Sequence, residues 1–192
     1  PGIAQGRTNI THISDWALFL KANGSLIGPG EEIRLRFPDR RNDHEVELAV
    51  VIGRQGNRIE KARSLDHVWG YAIGLDMTVR GRELQCFRKS IDTYSVLGPW
   101  MVSKDEIPDP DSLDLSIKVN GELRQQSNTR YLVYDVQRLI EYASSMYTLY
   151  PGDILMTGTP AGVGPVNPGD LLTAEIEAIG CFDIRVAPAY AG

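Results

Sequence analysis

The stretch Asp43-His44-Glu45-Val46-Glu47-Leu48-Ala49-Val50-Val51-Ile52-Gly53 decides how the chain is read. Its second half is an unbroken apolar run of strand length, rich in β-branched residues, as expected of a strand buried on both faces. Its first half carries acids at i and i+2. Side chains alternate along a strand, so Glu45 and Glu47 point to one face, in line with Ala49 and Val51. Two adjacent carboxylates raise each other's pKa and weaken the strand unless a cation lies between them or water screens both. The stretch is therefore either an exposed strand end with two solvated acids or one edge of a metal site, and a third oxygen ligand elsewhere would separate the two readings.

Working outward, Tyr71-Ala72-Ile73-Gly74-Leu75-Asp76 is a second apolar strand ending in an acid, which needs a partner or water. Glu45, Glu47 and Asp76 form a hard-oxygen set suited to magnesium, manganese or calcium, and nothing in the chain resembles a cysteine and histidine zinc cage. His44 falls on the opposite face of its strand. Just after Asp76 comes the most basic part of the chain, with Arg80, Arg82, Arg88 and Lys89 opposed by Glu83. Such a run is usually a solvated helix face, but its place just downstream of Asp76 raises a functional reading.

Around this centre the chain reads as short strands joined by tight turns. Nineteen glycines and eleven prolines are spread over 192 residues. Ile33 to Phe37 alternates as a strand, and Ile59 to Val68 suggests a short helix that stops before Gly70. Leu97-Gly98-Pro99-Trp100 and Ile107-Pro108-Asp109-Pro110 read as turns. Leu113, Leu115, Ile117 and Val119 share one face of a strand, and Asn120-Gly121 turns it into a hairpin with Glu122 to Gln126. Asp135 is placed to cap a helix with Val136, Leu139, Ile140, Ala143 and Tyr147 as its apolar stripe. Pro151-Gly152-Asp153 and Pro168-Gly169-Asp170 each open a strand. Between them Thr157-Gly158-Thr159-Pro160-Ala161-Gly162-Val163-Gly164 reads as a loop whose backbone amides can approach a carboxylate. The tail from Ile184 reads as frayed.

Composition sets the outer bounds. With 42% hydrophobic and 23% charged residues, the chain has the balance of a globular protein, long enough to bury on the order of 70% of its unfolded surface in one core. No linker divides it, and residues 1–192 read as a single domain. A net charge of -5 and a pI near 5.2 argue against nucleic acid or an anionic membrane as the main partner. Cys86 and Cys181 form no zinc spacing and read as reduced thiols. No apolar run has the length of a membrane span, and a cytoplasmic location is the expectation. No Gly-x-Ser-x-Gly elbow marks a serine nucleophile.

Taken in order, these segments resemble the fumarylacetoacetate hydrolase family: Glu45 to Gly53, Gly70 to Asp76, Lys89-Ser90-Ile91-Asp92-Thr93 with Gly98-Pro99-Trp100, Val119-Asn120-Gly121-Glu122, and Pro151-Gly152-Asp153 with Thr157 to Gly164. The resemblance covers roughly residues 6 to 187. It implies an α+β fold, predominantly β, a mixed β-roll with a few short helices, usually assembled as a homodimer around one magnesium or manganese ion. Members act on 2-oxo acids and their enols, as acylpyruvate and fumarylacetoacetate-type hydrolases, isomerases of 2-hydroxyhepta-2,4-diene-1,7-dioate type, and decarboxylases. Position by position, Glu45, Glu47 and Asp76 match the metal ligands, Lys89 the active-site lysine and Thr159 the threonine of the loop that holds the substrate carboxylate. Arg82-Glu83-Leu84-Gln85 is similar to the family's Arg-Asp-x-Gln, while Arg80 fits the spacing from Asp76, so both arginines remain candidates beside Gln85. His12 with Asp15 resembles the family's His-x-x-Glu lid dyad, with Asp in place of Glu.

The resemblance thus implies metal-dependent hydrolysis of a carbon-carbon bond in a 2-oxo acid, with charge developing on the 2-oxo oxygen stabilised by the cation and Lys89, and His12 as general base. Isomerisation or decarboxylation on the same scaffold are the alternatives. A non-catalytic binder of small acids would keep the acid triad but have no use for Lys89 or His12.

Overall fold

Antiparallel pairing around one central strand explains the architecture. In the computed structural model, which describes residues 18–189, the strands are β1 (Leu26–Ile27), β2 (Ile33–Leu35), β3 (Asn42–His44), β4 (Val46–Ile52), β5 (Val68–Asp76), β6 (Thr78–Val79), β7 (Ser95–Ser103), β8 (Asp114–Val119), β9 (Glu122–Asn128), β10 (Ile154–Met156), β11 (Gly164–Pro165), β12 (Leu171–Ile176) and β13 (Gly180–Pro188). Helices are few: α1 (Gln85–Lys89) and α2 (Val136–Met146), with short 3-10 segments at Asn23–Ser25, Lys61–His67 and Thr129–Tyr131. The sheets run β1-β7-β5-β4-β10, β11-β3-β6 and β2-β13-β12-β8-β9. The β1–β7 and β2–β13 pairs are parallel and the rest antiparallel, so the β-rich, mixed architecture matches expectation.

The apolar run behaves as its composition requires. All seven residues of β4 are buried, between β5 on one edge and β10 on the other. Leu48, Ile73, Leu75 and Met77 are fully enclosed in a core shared with Ile117, Ile140 and Leu172. The predicted hairpin forms as β8–β9, with Leu113, Leu115, Ile117 and Val119 buried. Its turn needs left-handed backbone at both central residues, and Asn120 (φ 51°) and Gly121 (φ 81°) supply it. Asp135 caps α2 by accepting from the Arg138 N–H at 2.7 Å.

Three expectations need correction. Leu97-Gly98-Pro99-Trp100 is not a turn but the middle of β7. Gly74 pairs with Leu97 and Ala72 with Met101, so Gly98, Pro99 and Trp100 bulge opposite Ile73, where the missing proline N–H breaks no ladder bond. The tail from Ile184 is not frayed either. It completes β13, with Ile184 and Val186 buried and Val186 to Pro188 in parallel register with β2. Tyr147 lies beyond the end of α2, 42% exposed, so the apolar stripe stops at Ala143.

Candidate metal centre

Register brings the acids together. Val46 pairs with Leu75 in the antiparallel β4–β5 ladder, and the Asp76 N–H donates to the Glu45 carbonyl at 2.9 Å. Asp76 therefore stands directly across from Glu45, and residues facing each other in such a pair carry their side chains on the same face. Glu47 is on that face as well, by strand alternation. One carboxylate oxygen from each of Glu45, Glu47 and Asp76 lies within 4.8 Å of the others. All three are buried, at 1%, 4% and 3% exposure, so the reading as a solvated strand end is excluded.

Three buried acids need compensating charge, and the chain supplies it from two directions. Lys89, at the end of α1 and 3% exposed, donates from Nζ to Glu45 Oε2 at 2.6 Å and also to Asp76 Oδ2. Its ammonium lies 5.7 Å from the centre of the Phe19 ring. Burial disfavours the charged form of Lys89, but the Asp76 and Glu45 carboxylates outweigh it and hold its pKa above the ordinary lysine value. Lys21 binds Asp76 Oδ1 and donates to the Tyr94 carbonyl at 2.9 Å. There burial dominates, and the Lys21 pKa is lowered despite Asp76. Glu47 has no lysine within hydrogen-bonding distance among the described residues, only the Gly158 N–H on Oε2 at 2.7 Å. Burial first, then the neighbouring Asp76 charge, push its pKa up to about 8.

The basic run divides as its backbone turns. Arg80, following β6, donates from Nη2 to Glu45 Oε1 at 3.1 Å and from Nε to the fully buried Asp43 at 2.6 Å. Arg41 holds the other Asp43 oxygen at 2.7 Å. Arg82 is exposed in the bend before α1 and does not line the cavity, whereas Gln85 does. Thr159 is buried on the cavity wall, its hydroxyl donating to the Val46 carbonyl at 2.8 Å. His44 is enclosed away from the acids, bonded through Nδ1 to Gln125 at 3.0 Å. His12 and Asp15 lie outside the described residues.

The centre opens into a cavity of about 890 Å³. Glu45, Glu47, Asp76, Lys21, Lys89 and Gln85 form part of its wall, and Tyr131, Tyr134, Tyr147 and Tyr150 belong to its more apolar portion. Sequence reading missed Lys21, which is 55 positions from its partner Asp76. A lysine after the apolar Leu18-Phe19-Leu20 was the one available hint. The donor set of three carboxylates, with neither thiol nor imidazole among them, fits magnesium or manganese. Lys21 on one Asp76 oxygen and Lys89 on the other, with Lys89 also on Glu45, set positive charge against these carboxylates.

Comparison with known proteins agrees with this geometry. The chain is 57% identical over 175 residues to the maleylpyruvate hydrolase of Aquipseudomonas alcaligenes, covering 91% of this chain and 61% of that protein. The crystal structure of the maleylpyruvate hydrolase from Sphingobium sp., in complex with manganese(II) ion and pyruvate, superposes with a TM-score of 0.85 at 44% identity, over 89% of this chain and 64% of that one. The 2-hydroxyhepta-2,4-diene-1,7-dioate isomerase of Mycobacterium marinum gives a TM-score of 0.84 at 37% identity, over 90% and 69% of the two chains. The chain thus spans about three fifths of the length of the hydrolases it matches. The model of the fumarylacetoacetate (FAA) hydrolase C-terminal domain matches residues 4–187, and with the buried acid triad in place across β4 and β5 the chain belongs to the fumarylacetoacetate hydrolase family.

Proposed function

We propose that the chain is the catalytic domain, residues 1–192, of a divalent-metal-dependent hydrolase that cleaves a carbon-carbon bond in an acylpyruvate such as maleylpyruvate. The observation that carries this reading is the convergence of Glu45, Glu47 and Asp76, with Lys89 among them, at the wall of a cavity large enough for a small dioxo acid. When bound to the three carboxylates, magnesium or manganese supplies Lewis-acid polarisation of the 2-oxo group and a template for it and the adjoining carboxylate. Calcium satisfies the same oxygen set at longer distances.

The chain's own groups do the rest. Lys89 holds a positive charge where negative charge develops on the 2-oxo oxygen. The loop at Thr159 receives the substrate carboxylate and Gln85, on the cavity wall, orients the remainder, while Arg80 acts through Glu45, which it holds at 3.1 Å; the exposed Arg82 makes no contact among the described residues that supports a role. His12, oriented by Asp15, takes a proton from water, whose oxygen adds to the distal carbonyl. The bond between that carbonyl and the pyruvate methylene breaks, its electron pair goes to the methylene carbon, and a proton returns there to give pyruvate and a carboxylic acid. The likeness to the isomerase supports a second reading, in which proton transfer occurs without water attack.

Trp69, Trp100 and Met101 stand exposed on the neighbouring strands β5 and β7, which supports a homodimer. No helix among the described residues is long and apolar enough to cross a membrane. Protein loaded with Mn2+ is expected to release pyruvate from maleylpyruvate or other acylpyruvates, and His12→Ala to abolish that release. A shifted enol spectrum with a dienoate substrate, and no pyruvate from any acylpyruvate, would transfer the assignment to the isomerase reading.

A further inference from the structure

Gln125 lies in β9, in a different sheet from the acids, yet its carboxamide is 1% exposed and makes four hydrogen bonds to segments far apart in sequence. Oε1 accepts from the Val46 N–H at 3.1 Å and lies 3.0 Å from His44 Nδ1. Nε2 donates to Thr159 Oγ1 and to the Pro160 carbonyl, each at 2.9 Å. Two of these partners fix the amide's orientation. A backbone N–H only donates and a proline carbonyl only accepts, so a flipped amide would set N–H against N–H and oxygen against oxygen. His44 must then carry its proton on Nδ1, and the Thr159 hydroxyl, already accepting from Gln125, must give its hydrogen to Val46. Every hydrogen-bonding position of the carboxamide is filled.

We propose that Gln125 is a positioning residue that fixes the Thr157–Pro160 segment against the strand carrying Glu45 and Glu47, and so sets where a substrate carboxylate stands relative to the metal. This rests on the reading of the Thr159 loop given above. The segment leaves β10 after Met156 and follows the edge of β4, where four hydrogen bonds hold it. The Thr157 N–H and hydroxyl both donate to the Leu48 carbonyl, the Gly158 N–H to Glu47 Oε2, and the Thr159 hydroxyl to the Val46 carbonyl. Those contacts tie the segment to β4 alone. Gln125 ties both the segment and the start of β4 to the facing sheet, so losing it frees the wall of the cavity to move relative to the acids.

Two substitutions test this. Gln125→Glu keeps the shape and one accepting oxygen but replaces both N–H donors toward Thr159 and Pro160. Gln125→Met keeps the length and removes all four bonds. Both are read out by pyruvate affinity of the manganese-loaded protein, manganese affinity, KM and kcat on the cleaved acylpyruvate, and amide exchange at Gly158 and Thr159 in the metal-free protein. Loss of two neutral hydrogen bonds predicts a pyruvate Kd and a KM about tenfold higher, with kcat and manganese affinity changed by less than about threefold, and Gly158 and Thr159 amides exchanging about tenfold faster while β5 amides do not. Folded variants with a lower melting temperature but unchanged pyruvate Kd, KM and loop exchange would overturn the proposal and leave Gln125 a residue of the fold only. Should the unaltered protein neither bind pyruvate nor release it, the functional reading fails, and loop exchange alone then judges the clamp: unchanged exchange at Gly158 in Gln125→Glu refutes it.

Discussion

Replacing Lys89 by methionine keeps most of the apolar stem of the side chain and removes the ammonium, with its charge and its hydrogen bonds to Glu45 and Asp76. In the metal-free protein this leaves Glu45 and Asp76 short of a cation that is now 2.6 Å from Glu45 Oε2 and bonded to Asp76. Breaking a buried ion pair from one side costs about 3–5 kcal/mol, because the remaining charge stays desolvated. Here the lower end applies, about 3 kcal/mol, since Glu45 keeps Arg80 at 3.1 Å and Asp76 keeps Lys21. For a chain of this size each kcal/mol moves the melting temperature by about 2–4 °C, so calorimetry in chelator should find Lys89→Met melting about 6–12 °C below the unaltered protein. Saturating Mn2+ brings two positive charges to the same oxygens and should close most of that gap, while pyruvate release stays impaired. An equal deficit with and without Mn2+, or no deficit in chelator, would show that Lys89 does not balance the proposed metal-binding carboxylates and would remove the electrostatic basis of the proposed site.

Glu47 titrates near 8 in the metal-free protein because burial and then Asp76 disfavour its charge, so binding a cation below that pH displaces one proton. Mn2+ affinity measured by calorimetry should therefore rise about tenfold per pH unit between about 5 and 8 and flatten above 8. The same raised value means that Glu47 favours the metal-free fold at low pH and loses that contribution as pH rises through 8, so unfolding midpoints in chelator should fall over that window. Arg80→Ala, which frees Glu45 and the buried Asp43, should raise KM about tenfold, whereas Arg82→Ala, at an exposed position without contact to the acids, should leave kinetics within about twofold; equal effects would refute the assignment of Arg80 to the site. Gly162→Ala forces a side chain onto backbone at φ 99° with its Cβ 2.1 Å from the Arg124 carbonyl, and denaturant unfolding should show a loss of at least about 2 kcal/mol.

Local chemistry made some elements legible. An unbroken apolar run could only be a doubly covered strand, Asn120-Gly121 could only turn tightly, and Asp135 stood one residue before an apolar helix stripe. Two acids at i and i+2 on a strand and a third ending another strand marked a candidate oxygen-ligand set, and their burial together is what the structure adds. The misread stretches share a cause. Gly98-Pro99-Trp100 and the tail after Ile184 carry turn-like composition, but the pairing of Leu97 and Met101 with β5 on either side of the first, and of the second with β2, holds both within strands.

What sequence alone determined about this protein is which side chains share a strand face, because alternation is a property of the backbone and needs no partner. It therefore put Glu45 and Glu47 on one face, while Lys89, in a helix, entered only as what the family resemblance implies. Only the tertiary structure decided that Asp76 lies across from Glu45, that Arg80 and not Arg82 reaches the acids, that Lys21 supplies the second cation, and that Gln125 holds the Thr159 segment in place. Those depend on the register between strands and on the way the sheets close over one another. Register and closure are set by how the whole core packs, and no local spacing along the chain encodes them.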